Sequence, residues 1–139
     1  MKQPLFFAVT ALLLFGLSAC RTPPAPEDIP EDLTPMEFFR RGQEATDARR
    51  WDTALTYYEV FLERHPDDLH YGPAAEYEIA FIYYKRGDYS VAERKFQELL
   101  ARYDSPESDQ MPDWPRILSE RLLYEIIPQE TGRPAVNAG

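Results

Sequence analysis

Arg50-Trp51-Asp52-Thr53-Ala54-Leu55-Thr56-Tyr57-Tyr58-Glu59 returns in altered letters as Asp88-Tyr89-Ser90-Val91-Ala92-Glu93-Arg94-Lys95-Phe96-Gln97. Both stretches read aromatic, two residues, alanine, three residues, aromatic. Each then runs into an apolar pair, Phe61-Leu62 or Leu99-Leu100, before a turn. An alanine and an aromatic four positions apart share one face of a helix. The alanine lets a second helix approach closely, and the aromatic fills the space beside that contact. The sequence therefore predicts an all-α fold made from a repeated helical unit.

Apolar residues recur at helical spacing from residue 34 to 127, with no strand-like alternation. Helices are expected at about 35–48, 51–65, 73–86, 89–103 and 114–127. Arg49-Arg50, His65-Pro66-Asp67-Asp68, Gly87-Asp88 and Asp104-Ser105-Pro106 break them. Thr34-Pro35-Met36-Glu37 has the form of a capping box with proline at the first helical position. Connections within pairs are short, so neighbouring helices pack antiparallel. The segment 73–86 is apolar nearly all round, as a central helix touched on several sides must be. In 114–127, Ile117, Leu118, Leu122, Leu123, Ile126 and Ile127 form a broad apolar face behind Asp113 as expected N-cap. That face suits a C-terminal capping helix or an exposed docking surface. Residues 128–139 are small and polar, and disorder is expected there.

The repeat resembles the tetratricopeptide (TPR) repeat. Phe38, Gly42 and Ala45 sit at its first-helix packing positions, Ala54, Tyr58 and Phe61 at its second, and Pro66 at its terminal proline. In the second copy Ile79, Ala80 and Tyr83 match the first helix and Ala92, Phe96 and Leu99 the second. Glu76 replaces an aromatic, Asp104 replaces the terminal proline, and the two alanines stand 38 residues apart. The resemblance implies an α-solenoid of antiparallel hairpins over residues 34–127, in about two and a half repeats.

At the N-terminus, Lys2 precedes an apolar run, Pro4 to Leu17, too short to span a bilayer, which needs roughly 20 apolar residues. Residues 1–19 read as a signal peptide. Leu17-Ser18-Ala19-Cys20 resembles the lipobox of bacterial lipoproteins, which implies that Cys20, the single cysteine, is lipidated. Several acyl chains give stable attachment, at about 0.8 kcal/mol per buried methylene. Arg21 follows where an aspartate would retain a lipoprotein in the inner membrane, so the resemblance implies the outer membrane, facing the periplasm. Residues 21–35, with five prolines and four acids, are expected to be an extended spacer of roughly 40 Å; the lipidated linker is taken as 20–33. Lipobox, proline-rich spacer and TPR hairpins together resemble the lipoprotein subunit family of the outer-membrane β-barrel assembly machine, the BamD family. The periplasmic repeat domains of Tol-Pal-associated coordinators are a second resemblance, through the Gly-Asp-Tyr turn.

The chain carries 15 basic and 24 acidic side chains. Loss of Lys2 with the leader takes the net charge from −9 to −10. Nucleic acid is disfavoured as a partner, because binding it needs a basic face. No cofactor or small-molecule substrate is expected, and no metal: His65 and His70 flank a turn without cysteine partners. No nucleophile, acid/base or phosphate-loop pattern marks an enzyme. Arg40-Arg41 and Arg49-Arg50 read as solvated helix ends or salt-bridge partners. By position in the TPR family, Met36, Phe39, Gln43 and Asp47, with Tyr77, Phe81, Tyr84 and Lys85, line the concave groove. Aromatics with a polar tip suit peptide recognition; such a stripe also suits a core covered by the closing helix. The function expected is an adaptor for envelope proteins or peptide segments, within outer-membrane protein assembly. The rivals are a structural, self-associating lipoprotein and a Tol-Pal coordinator.

Overall fold

Thr34 starts the folded array as its sequence demands. In the computed structural model, which describes residues 22–136, the Thr34 hydroxyl accepts the Glu37 N–H at 3.3 Å, and the Glu37 carboxylate accepts the Thr34 N–H at 3.1 Å. Both bonds satisfy donors that a helix start leaves free. The Thr34 N–H, and after it the Thr34 hydroxyl donating at 3.0 Å, hold the Glu37 carboxyl below its ordinary range. Helix α1 (Pro35–Asp47) follows, then α2 (Trp51–Arg64), α3 (Gly72–Arg86) and α4 (Tyr89–Arg102). No strand occurs among the described residues.

Helices α1 and α2 form one antiparallel hairpin and α3 and α4 another, with α2 packed on α3 between them. The repeated letters form the seam of each hairpin. Ala54 and Ala92 are fully buried, as are Tyr58 and Phe96. Gly42 is required opposite Tyr58: a Cβ there would lie 2.6 Å from Cζ of the ring. Helix α3 serves two cores, as its all-round apolarity requires. Ala75, Ile79 and Ile82 join Phe38, Ala45 and Phe61, while Tyr77 and Ala80 join Phe96 and Leu99.

The closing segment differs from expectation in length and shape. Helix α5 (Asp113–Arg121) widens into a π turn at Leu122–Ile126 and continues as α6 (Ile127–Thr131). Proline has no N–H and its ring crowds the carbonyl four residues back. Widening immediately before Pro128 lets the helix pass through it rather than end. Of the tail 128–139 expected to be disordered, the first residues are helical as far as Thr131, and Arg133 pairs with Glu93 at 2.9 Å. Leu122, Leu123 and Ile127 are buried and cap the second core, but Ile117 and Leu118 are exposed. Pro112, not Asp113, is the N-cap, and Asp113 pairs with Arg116 at 3.1 Å.

The expected extended spacer is also corrected from residue 25 onward. Pro26–Asp28 form a helical turn, and Ile29 and Leu33 are buried in the first core. Arg64 fastens this segment, donating to the carbonyls of Pro26 (3.2 Å), Ile29 (2.9 Å) and Pro30 (2.8 Å). Two apolar residues in an acidic, proline-rich run suffice because the adjoining hairpin supplies the rest of the core. The signal peptide and Cys20 lie outside the described residues.

Candidate partner-binding face

Of the groove residues expected from the sequence, four on α3 stand together. Tyr77 and Phe81 stack with ring centroids 5.8 Å apart, Phe81 and Tyr84 lie 5.7 Å apart, and the Lys85 ammonium is 5.9 Å from the Phe81 centroid. The i, i+4, i+7 spacing puts all three rings on one side of the helix. The closing arm covers part of this ladder. Trp114 meets Tyr77 edge-on at 5.3 Å, and the Tyr84 hydroxyl donates to Glu130 at 2.8 Å. Tyr77 is only 8% exposed and belongs mainly to the core, whereas Phe81 and Tyr84 are half-buried. Burial first, then the bond to Glu130, pushes the Tyr84 hydroxyl up to about 12.

Phe39 does not join the ladder. It wedges between α1, α2 and the following loop, with centroids 5.3 Å from Tyr58, 5.7 Å from Phe61 and 5.3 Å from Tyr71. Gln43, Asp47 and Met36 are exposed on α1.

Glu78 is the residue that sequence reasoning missed. It interrupts the apolar run of α3, and its carboxyl is pushed up to about 7, by burial first and by the Asp47 charge second. No cation pairs with it among the described residues. The same carboxylate helps raise the hydroxyls of Tyr58 and Tyr77, so it lies between the two hairpins. An acid breaking an apolar run was the available signal. Glu76, two positions earlier, is different: Arg102 binds it at 2.8 Å.

Chemically, this surface combines exposed aromatic edges with an acidic flank. It suits a segment bearing apolar side chains and a positive charge. His65 stacks on Phe61 at 5.0 Å, and among the described residues no group of His, Cys, Asp and Glu is arranged to hold a metal. No helix among them is long and apolar enough to cross a membrane.

Residues 31–112, spanning both hairpins and stopping before α5, match the family described as "YfiO: Outer membrane lipoprotein". An uncharacterized protein of Treponema pallidum (strain Nichols) is 33% identical over 105 residues. The alignment covers 76% of this chain and 42% of that protein, so the chain spans about two fifths of that relative's length. No solved structure gives a significant match.

Proposed function

The chain belongs to the YfiO outer membrane lipoprotein family, and on that premise we propose that it is a lipid-anchored adaptor of the cell envelope. Residues 1–19 are removed, acyl chains on Cys20 hold the protein at the outer membrane, and the helical array faces the periplasm. Its partner is an extended or helical segment of an envelope protein, in the specific form a component of β-barrel assembly. It binds; it does not catalyse.

The observation that carries this reading is the ladder on α3. Phe81 is half-buried, flanked by the Lys85 ammonium and continued by Trp114, which is 41% exposed. Aromatic anchors of this kind supply most of the affinity at protein interfaces. Asp47 and Glu78 give the face an acidic side that would select a basic residue next to the apolar ones.

The test is cross-linking of the full-length protein in detergent-solubilised envelopes, comparing the native chain with Phe81→Ala. Circular dichroism checks that the helices persist. Recovery of a β-barrel-assembly component should fall about tenfold in the variant. Equal recovery moves the binding face elsewhere, and recovery of a Tol-Pal component instead replaces the specific partner. One observation favours a second reading, self-association: Trp114, Ile117 and Leu118 leave an apolar patch exposed on α5. Light scattering that shows a strict monomer removes that rival.

A further inference from the structure

The two hairpins turn in the same way but with opposite residues. In the second, Gly87 takes the left-handed conformation (φ 82°) and Asp88 is the N-cap of α4. In the first, the corresponding positions are Arg49 (φ 54°) and Arg50, the N-cap of α2. Glycine favours the left-handed position, and aspartate favours the N-cap and the positive helix end. Arginine is locally unfavourable at both. Two such departures, both cationic and adjacent, mark a place where local stability has been given up for another purpose.

The surroundings show what that purpose requires. Arg40, Arg41 and Arg50 line, with Glu44, Thr53 and Tyr57, a recess of about 290 Å³ between α1 and α2. Glu44 takes Arg40 at 2.7 Å, while Arg41 lies with its guanidinium 5.9 Å from the Tyr57 centroid. Arg41, Arg49 and Arg50 have no ion-pair partner among the described residues. Elsewhere Arg64, Arg86, Arg102, Arg116 and Arg133 each bind a carbonyl or carboxylate, while Arg94 and Arg121 are exposed and have no arginine beside them in the chain. With 24 acids in the chain against 15 bases, partners for Arg41, Arg49 and Arg50 were not scarce.

We propose that this recess is a phosphate-binding site, in which Arg40, Arg41 and Arg50 hold the phosphate group of a lipid head group or of a soluble phosphate ester. Guanidinium forks match phosphate oxygens in pairs. A carboxylate has two oxygens, and the resident Glu44 engages only Arg40. Three guanidinium groups arriving from two helices need an acceptor with at least three oxygens on one centre. Phosphate supplies them, and the recess leaves room for part of the group it is esterified to. The site shares no residue with the proposed partner ladder and does not depend on it.

The test uses the full chain in non-ionic detergent micelles, with the amide signals of Thr53 and Tyr57 followed by NMR. One arm titrates inorganic phosphate against chloride at equal ionic strength. The other compares micelles doped with phosphatidylglycerol and with phosphatidylcholine. Saturable shifts at Thr53 and Tyr57 in the first arm assign a soluble phosphate ester, and shifts in the second alone assign a lipid. Arg41→Gln should weaken either response about tenfold. The double variant Arg49→Gly with Arg50→Asp rebuilds the second hairpin's turn, so it should melt higher than the native chain while losing the response. Silence in both arms, or an unchanged response in both variants, overturns the proposal. So does a response to a polyglutamate peptide without one to phosphate, which would make the recess an acidic-peptide site.

Discussion

The first hairpin and the second, offset by 38 residues, share a seam and differ at almost every point where the seam meets its surroundings. Phe38 in the first hairpin corresponds to Glu76 in the second, and Arg64 to Arg102. The arginine reaches its counterpart in both. Arg64 lies 5.8 Å from the Phe38 centroid, and Arg102 binds Glu76 at 2.8 Å. A cation over a ring has become an ion pair, with the spatial relation kept. Arg40 corresponds to Glu78: the first is exposed and paired with Glu44, the second half-buried beside Asp47. Gly42 corresponds to Ala80, because the larger Tyr58 needs room that Phe96 does not. Repetition therefore preserves packing volume along the seam, while polar chemistry is free to change with what each hairpin faces.

The largest expected effect breaks the Arg40–Glu78 contrast. Burial raises the Glu78 carboxyl from 4.5 to about 7 in the folded chain. A carboxyl raised on folding keeps its contribution at low pH and loses it as pH climbs from the unfolded value through the folded one. Glu78→Gln should thus be more stable than the native chain at pH 8, by roughly 3 kcal/mol. The advantage should vanish below about pH 4.5. Urea midpoints at the two pH values measure it, and an equal advantage at both would remove burial of the charge as its cause.

Next in size is the glycine seat. Gly42→Ala should cost about 2 kcal/mol, since the Tyr58 ring is packed on every side and the new methyl has nowhere to go. Ala80→Gly, the converse change in the second hairpin, should cost about 1 kcal/mol through helix propensity and lost packing. If chemical denaturation finds the two costs equal, Tyr58 is not what makes the positions different.

The smallest effect exchanges the turns. Gly87→Ala should cost about 1 kcal/mol, because φ is 82° there and an L side chain is strained. Arg49→Gly should gain about 0.5–1 kcal/mol for the same reason read backwards. Differential scanning calorimetry should therefore show melting points moving in opposite directions.

Much of this was legible in the letters. The bounds of the first four helices, the capping box, the alanine and aromatic seam and the central place of α3 follow from spacings within one or two turns. The site was legible in part. Tyr77, Phe81, Tyr84 and Lys85 stand together because one helix fixes their relation. Phe39 belongs to another cluster, and Trp114 and Glu130 complete the ladder from a segment more than thirty residues away. Ile29 and Leu33 read as part of a spacer because two apolar residues carry no periodicity. They are buried against the core of the first hairpin, with Arg64 fastening the carbonyls around Ile29.

The four hairpin helices and their pairing were set by the letters alone, since helix caps, periodicity and short turns act through neighbours along the chain. The folded arrangement set which apolar residues are covered, that Glu78 loses its water beside Asp47, and that Arg41 and Arg50 meet in one recess without ion-pair partners. Burial and field are sums over groups brought together from distant positions, and no local pattern contains them.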